Sequence, residues 1–190
     1  MSAIAQVLRE QGQVVSGSDR NYDINISPGV FSKLLAQGIS VHPQDGSGIK
    51  EDTDYVISSA IEEDNQDIKR ARFGNKKIIR RANLLAEMFN PMNGIAIGGT
   101  NGKTTVSCMV GYILDYAGLS PTIIVGGWIK NYVNTFHLGN AKAGRSNIIT
   151  IEADESDASF LNLLPVAAVV TNIDADHMDT YGHDFARLKA

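Results

Sequence analysis

Apolar and polar positions along the first half of the chain alternate between two periods. Ile4, Val7 and Leu8 share a helical face over residues 3–11, and Gly12 ends that pattern. "QVVSGSD" (13–19) reads as a strand closing in a polar turn. A helix is predicted over 27–38, with Ser27 as cap, Pro28 in its first turn and Gly38 at its end. Strands follow at 39–42 and 54–61, a helix at 64–74, a strand at 76–81 and a helix at 82–89. "NPMNG" (90–94) is a Pro/Gly/Asn cluster suited to a link between units.

The second half opens on an apolar run, "GIAIGG" (94–99), followed by a helix over 103–117 that Gly118 stops. Strands are predicted at 121–127, 148–154 and 166–174. Residues 128–147 form a long polar excursion, of which "GNAKAGRSN" (139–147) reads as a surface loop. Strands and helices joined by short connections predict an α/β fold with a mainly parallel sheet. We expect two units, 1–91 and 92–190. The chain opens directly on a helix, where a doubly wound unit starts with a strand and glycine turn. It closes on "DFARLKA", where a helix begins, so it reads as a piece of something longer.

Composition narrows this little. Of 190 residues 43% are hydrophobic and 20% charged, as in an ordinary globular protein. A formal charge of −4 gives no reason to expect a nucleic-acid surface. The single cysteine, Cys108, excludes an internal disulfide and suits a reducing, cytoplasmic setting. No apolar run approaches a membrane span, and the N-terminus reads as an amphipathic helix rather than a signal peptide. Cys108 and Met109 read as packing residues, Trp128 and Tyr132 as buried rings or, alternatively, the lining of a cleft. Arg80 and Arg81 would either meet an anionic substrate or solvate a strand end.

Candidate chemistry lies at strand ends. "IGGTNGKTT" fails the strict phosphate-loop pattern, because Ile97 stands where its first glycine belongs. Yet Gly99, Thr100, Asn101, Gly102, Lys103, Thr104 and Thr105 supply what a phosphate cradle needs. They offer glycines, a helix N-terminus, a lysine for the outer phosphates and a hydroxyl for magnesium. Glu152 ends an apolar run as a magnesium-binding carboxylate would, with Asp154, Glu155 and Asp157 behind it; a solvated acidic loop is the alternative. His177 stands among Asp174, Asp176 and Asp179 after another apolar run, a set that suits magnesium, manganese or zinc. In the first unit, Ser18, Asp19, Ser58 and Ser59 stand at strand ends, where they are either turn residues or ligand contacts.

Taken together, "GGTNGKTT", "EADESDASF" and "VVTNIDADHMDTYGHDF" resemble the Mur ligases, and "SGSD", "VISSAI" and "IIRRANLLAEMF" resemble their N-terminal domain. The likeness spans essentially the whole chain and is greatest to the members that add L-alanine to UDP-N-acetylmuramate. That family uses a short loop without the early glycine, so Ile97 is in place; the alanine-adding type usually has His where Asn101 stands. The resemblance implies a Rossmann-like N-terminal domain for UDP substrate, lacking its first strand and glycine loop, then part of a P-loop-type central ATPase domain. It implies an ATP- and Mg2+-dependent cytoplasmic acid–amino-acid ligase of peptidoglycan precursor synthesis, acting through an acyl phosphate on UDP-N-acetylmuramate and L-alanine. Carried over, Lys103 holds the phosphates, Thr104 and Glu152 ligate magnesium, and His177 helps bind a second magnesium. Asn172 hydrogen-bonds within that site, Ser156 and Asp157 contact substrate, and Ser18, Asp19, Ser58 and Ser59 lie near the UDP. Two alternatives stay open: a related ligase accepting folate or a preformed peptide, and a non-catalytic ATP-binding module.

Overall fold

The computed structural model describes residues 1–190 except 51, 59, 155–157, 177 and 190. Its first half runs α1 (Ser2–Glu10), β1 (Ser16–Ser18), α2 (Arg20–Asp23), α3 (Pro28–Ala36), β2 (Ser40–His42), β3 (Tyr55–Ile57), α4 (Gln66–Phe73), β4 (Ile78–Arg80) and α5 (Arg81–Phe89). The second half runs β5 (Asn93–Gly98), α6 (Lys103–Tyr116), β6 (Thr122–Ile124), β7 (Ala141–Lys142), β8 (Ile148–Glu152), β9 (Ala167–Val170) and α7 (Phe185–Lys189). The fold is mixed α/β with mainly parallel sheets.

The first-half strands pair as two parallel ribbons, β1 with β2 and β3 with β4. Each strand is three residues long, shorter than the apolar runs predict. The 13–19 run shortens for a stated reason: Asp19 leaves the strand to cap α2, its Oδ1 accepting from the Asn21 N–H at 2.8 Å. Ser27 also departs from expectation. It precedes α3 in the left-handed region, with φ 56°, and makes no side-chain cap bond.

The second half builds one five-stranded sheet in the order β7-β6-β8-β5-β9, parallel except for β7. Alternate residues of its central strands face opposite layers. Ile124, Ile149, Ile151 and Ala96 pack with Ile4 and Val7 of α1 and with Leu85 and Phe89 of α5. On the other face lies Ile123; α6 lies so close there that a Cβ on Gly111 would sit 3.0 Å from its Cγ2. The largest core is therefore shared between residues 1–91 and the sheet of the second half.

Residues 139–141 are buried rather than part of a surface loop, whereas 130, 131 and 133–136 are exposed. Ala141 pairs with Ile124 as part of β7, and Leu138 inserts among Phe31, Leu34 and Ile39. A polar network surrounds that insertion. The fully buried Gln6 donates to Asn140 Oδ1 at 2.6 Å and accepts from the Leu138 N–H at 3.3 Å and from Gln37 Nε2 at 3.1 Å. Glu10 holds the His137 ring at 2.7 Å and accepts from the Ala143 N–H at 2.6 Å. Tyr132 is partly buried as expected, its hydroxyl on Asp115 at 2.6 Å, but Trp128 and Met109 are exposed, so burial fails as the reading for both. No helix among the described residues is long and apolar enough to cross a membrane.

The carboxylates that tie this segment down carry a pH signature. Burial raises the pKa of Glu10, but the His137 ring and the Ala143 N–H outweigh it and leave it below the ordinary value. Asp115 is likewise lowered: burial pushes up, and Lys142 and the Tyr132 hydroxyl pull further down. A depressed carboxylate stabilises the fold above its unfolded pKa, about 4, and that contribution is lost as pH falls through the folded value. Urea midpoints should therefore hold steady down to about pH 5 and fall below about pH 4. A Glu10→Gln, Asp115→Asn double variant should flatten that fall; an unchanged slope would show that other groups govern it.

Candidate active site

β5 is an interior strand, with β8 on one side and the edge strand β9 on the other. Its C-terminal end is therefore flanked by both neighbours' ends, the position where parallel sheets present ligand sites. Residues 99–102 turn there into α6. Two glycines make the turn: Gly99 at φ +120° and Gly102 at φ +82°, the latter directly preceding Lys103. The N–H groups of α6's first turn then point outward, as a phosphate cradle requires. Lys103 Nζ donates to Gly99 O at 2.7 Å and Thr100 O at 3.2 Å, so the ammonium is held over the loop.

Register puts Glu152 beside Ile97. Its carboxylate accepts from the Thr104 hydroxyl at 2.9 Å through Oε1 and from the Gly126 N–H at 2.9 Å through Oε2. A Cβ on Gly126 would lie 2.7 Å from Oε2, so any other residue there would push the carboxylate aside. The Glu152 and Thr104 oxygens are hard donors of the kind magnesium takes, and they converge at the helix mouth where phosphates would lie. Cys108 stands behind them. Burial, and then the Glu152 charge, push its thiol pKa up, which makes it a poor nucleophile. Arg81 reaches the same edge from α5 and pairs with Asp154 at 3.2 Å.

The loop after β9 closes the other side. Asn172 Oδ1 accepts from the Asn101 N–H at 3.0 Å, and Asp174 N–H donates to Thr100 Oγ1 at 2.9 Å. Gly99, Thr100, Asn101, Gly102, Lys103, Thr104, Glu152 and Asn172 thus converge on one edge, with Thr105 exposed on α6's first turn. His177, Ser156, Asp157 and Ser59 lie outside the described residues. In the first half, Asp19 is the helix cap described above and Ser58 is half-buried. The Ser18 hydroxyl goes to the buried Asp67, which also accepts from the Gly46 N–H at 2.7 Å. Sequence reading missed Asp67, Gly126 and Thr171. The Gly-Gly pair closing the "TIIVGG" run was the available signal for Gly126; nothing local marked the other two.

Two family models match. One, described as "Mur ligase family, catalytic domain", covers residues 1–92, and "Mur ligase middle domain" covers residues 97–188. A UDP-N-acetylmuramate–L-alanine ligase of Delftia acidovorans is 46% identical over 190 residues, all of this chain and 38% of the relative. The crystal structure of UDP-N-acetylmuramate–alanine ligase MurC from Thermotoga maritima superposes with a TM-score of 0.87 at 28% identity, over all of this chain and 42% of that one. A UDP-N-acetylmuramate:L-alanyl-γ-D-glutamyl-meso-diaminopimelate ligase from Neisseria meningitides gives 0.84 at 27% identity, over all of this chain and 61% of that one. The chain thus spans well under half the length of the sequence relative it matches, and with both models laid along nearly its whole extent it belongs to the Mur ligase family.

Proposed function

We propose that this chain carries the UDP-substrate unit (1–91) and part of the ATP-binding unit (92–190) of a cytoplasmic, ATP-dependent ligase joining L-alanine to UDP-N-acetylmuramate. The convergence of the Lys103 loop with the Thr104–Glu152 pair is the observation that carries the reading. The 46% identity to an enzyme of that name supports the choice of substrates.

A carboxylate is a poor electrophile, and ATP, when bound, supplies the phosphoryl group that turns one of its oxygens into a leaving group. The work left to these residues is positioning and electrostatics. Lys103 and the N-terminus of α6 would hold phosphate oxygens and offset their charge. Thr104 and Glu152 would hold magnesium, with His177 at a second one. Asn172 would fix the loop between them. Ser18, Asp19, Ser58 and Ser59 would face the UDP, and Ser156 and Asp157 the substrate side.

Titration calorimetry tests the reading. The 190-residue chain should bind ATP more tightly with magnesium than with a chelator. Glu152→Gln should remove most of that difference, lowering Mg–ATP affinity by about tenfold or more. Equal binding with and without the metal in the wild-type chain would defeat the proposed magnesium role. The same chain should show little or no alanine-dependent phosphate release, and robust release would overturn the view that further segments of the enzyme are needed.

A further inference from the structure

The phosphate-loop reading leaves open what gives the loop its shape. Residues 99–102 belong to no helix or strand themselves, and a glycine-rich turn is costly to order. The geometry points to a clamp: we infer that Thr171 and Asn172 are positioning residues that preset this loop before any nucleotide arrives. They act on its main chain without touching phosphate. The inference rests on the reading of 99–104 as the phosphate loop.

The clamp is built from the end of β9. Pairing of Gly98 with Val170 brings residue 171 alongside residue 99. The Thr171 N–H donates to Gly98 O at 3.0 Å, and its hydroxyl donates to Asn101 O at 2.5 Å. The Asn172 side chain grips residue 101 at both main-chain groups: Oδ1 accepts from the N–H at 3.0 Å and Nδ2 donates to the C=O at 2.9 Å. Asn172 O also accepts from the Thr100 N–H at 3.0 Å.

Two chemical requirements follow. Only an amide side chain offers a donor and an acceptor in this spacing; aspartate would lack the donor and add negative charge beside the phosphates. Position 99 must lack a side chain, since a Cβ there would lie 2.8 Å from Asn172 O and would collide with the Thr171 hydroxyl. The clamp also assigns the Asn101 N–H. It faces Asn172, so the anion is left to the N–H groups of α6's first turn and to Lys103. The side chain at 101 only approaches Asp174 Oδ2 at 3.5 Å, so the gripped main chain tolerates different residues there.

Amide exchange by NMR on the 190-residue chain tests the clamp without any ligand. The Asn101 N–H should exchange about tenfold more slowly in wild type than in Asn172→Ala, the effect of one net hydrogen bond. Mg–ATP titration then tests its role. Asn172→Ala and Thr171→Val should each weaken binding about tenfold, with thermal midpoints close to wild type, and Thr171→Ser should restore it. Equal exchange of Asn101 in wild type and Asn172→Ala overturns the clamp. A protected amide with unchanged affinity in both variants, or no rescue by serine, overturns the positioning role. A wild-type chain that binds no Mg–ATP overturns the phosphate-loop reading and the role together, while the exchange rates still decide whether the clamp exists.

Discussion

Lys103→Ala should lower the affinity of the chain for Mg–ATP by about 100-fold. Charge-assisted hydrogen bonds to phosphate are worth roughly 1.5–3 kcal/mol each, and the lysine would offer more than one. What remains after its removal is the helix N-terminus, a partial charge of about half a unit. In the free chain the ammonium already sits on Gly99 O and Thr100 O, so binding recruits a placed cation, with little further ordering of its stem. Both bonds are only part-buried, so water can replace the ammonium on those carbonyls. The thermal midpoint should therefore move by no more than about 4 °C. Lys103→Arg should recover only part of the loss, because a planar fork does not reproduce a point charge in a turn built for one. Calorimetric titration at fixed ionic strength checks this, and an affinity within about threefold of wild type would remove Lys103 from the site.

What the sequence disclosed depended on how local the determinant was. The buried strands of the second half announce themselves as apolar runs, and "IAIGG" meeting a helix at Lys103 identifies the loop, because strand, turn and helix lie within a few residues. The resemblance to Mur ligases added the family, which two matched models then established. Long-range pairings were illegible. Nothing beside Gly126 says that its N–H will meet Glu152, and nothing at Thr171 says that its hydroxyl will meet residue 101. The largest misreading has the same origin. Residues 139–147 read as a surface loop because they are polar, yet main-chain groups from 136 to 143 are matched by Gln6, Gln37, Glu10 and Lys33 from far away in the chain. Burial of such a segment is decided by partners that periodicity cannot see. Asp19, which reads as a strand end, also caps α2 with its carboxylate.

Phe89→Ala should cost about 3–5 kcal/mol, the largest stability loss expected from a single truncation in this chain. The ring is fully buried in the last turn of α5 and fills the space that Gly94 leaves; a Cβ there would overlap it. Its cluster joins α1, α5 and the faces of β5, β6 and β8, so a cavity at this point has walls from both halves of the chain. Those walls cannot collapse independently. Asn90, the next residue, already ties α5 to the second half, with Nδ2 on Asn162 O at 3.0 Å and Oδ1 accepting from the Leu164 N–H at 2.9 Å. Gln6→Ala makes a useful comparison, because it strands the Leu138 N–H and the Asn140 amide and should cost about 1–3 kcal/mol. Phe89→Leu should cost less than the alanine, since it refills much of the volume. Urea unfolding followed by fluorescence and circular dichroism measures all three. A shared core also predicts one cooperative transition in the wild-type chain, seen identically by both probes. In Phe89→Ala the midpoint should fall and the probes separate, as the half carrying the two small ribbons loosens first. A loss under about 1 kcal/mol would mean that α5 is dispensable to the sheet and that the two halves are stabilised separately.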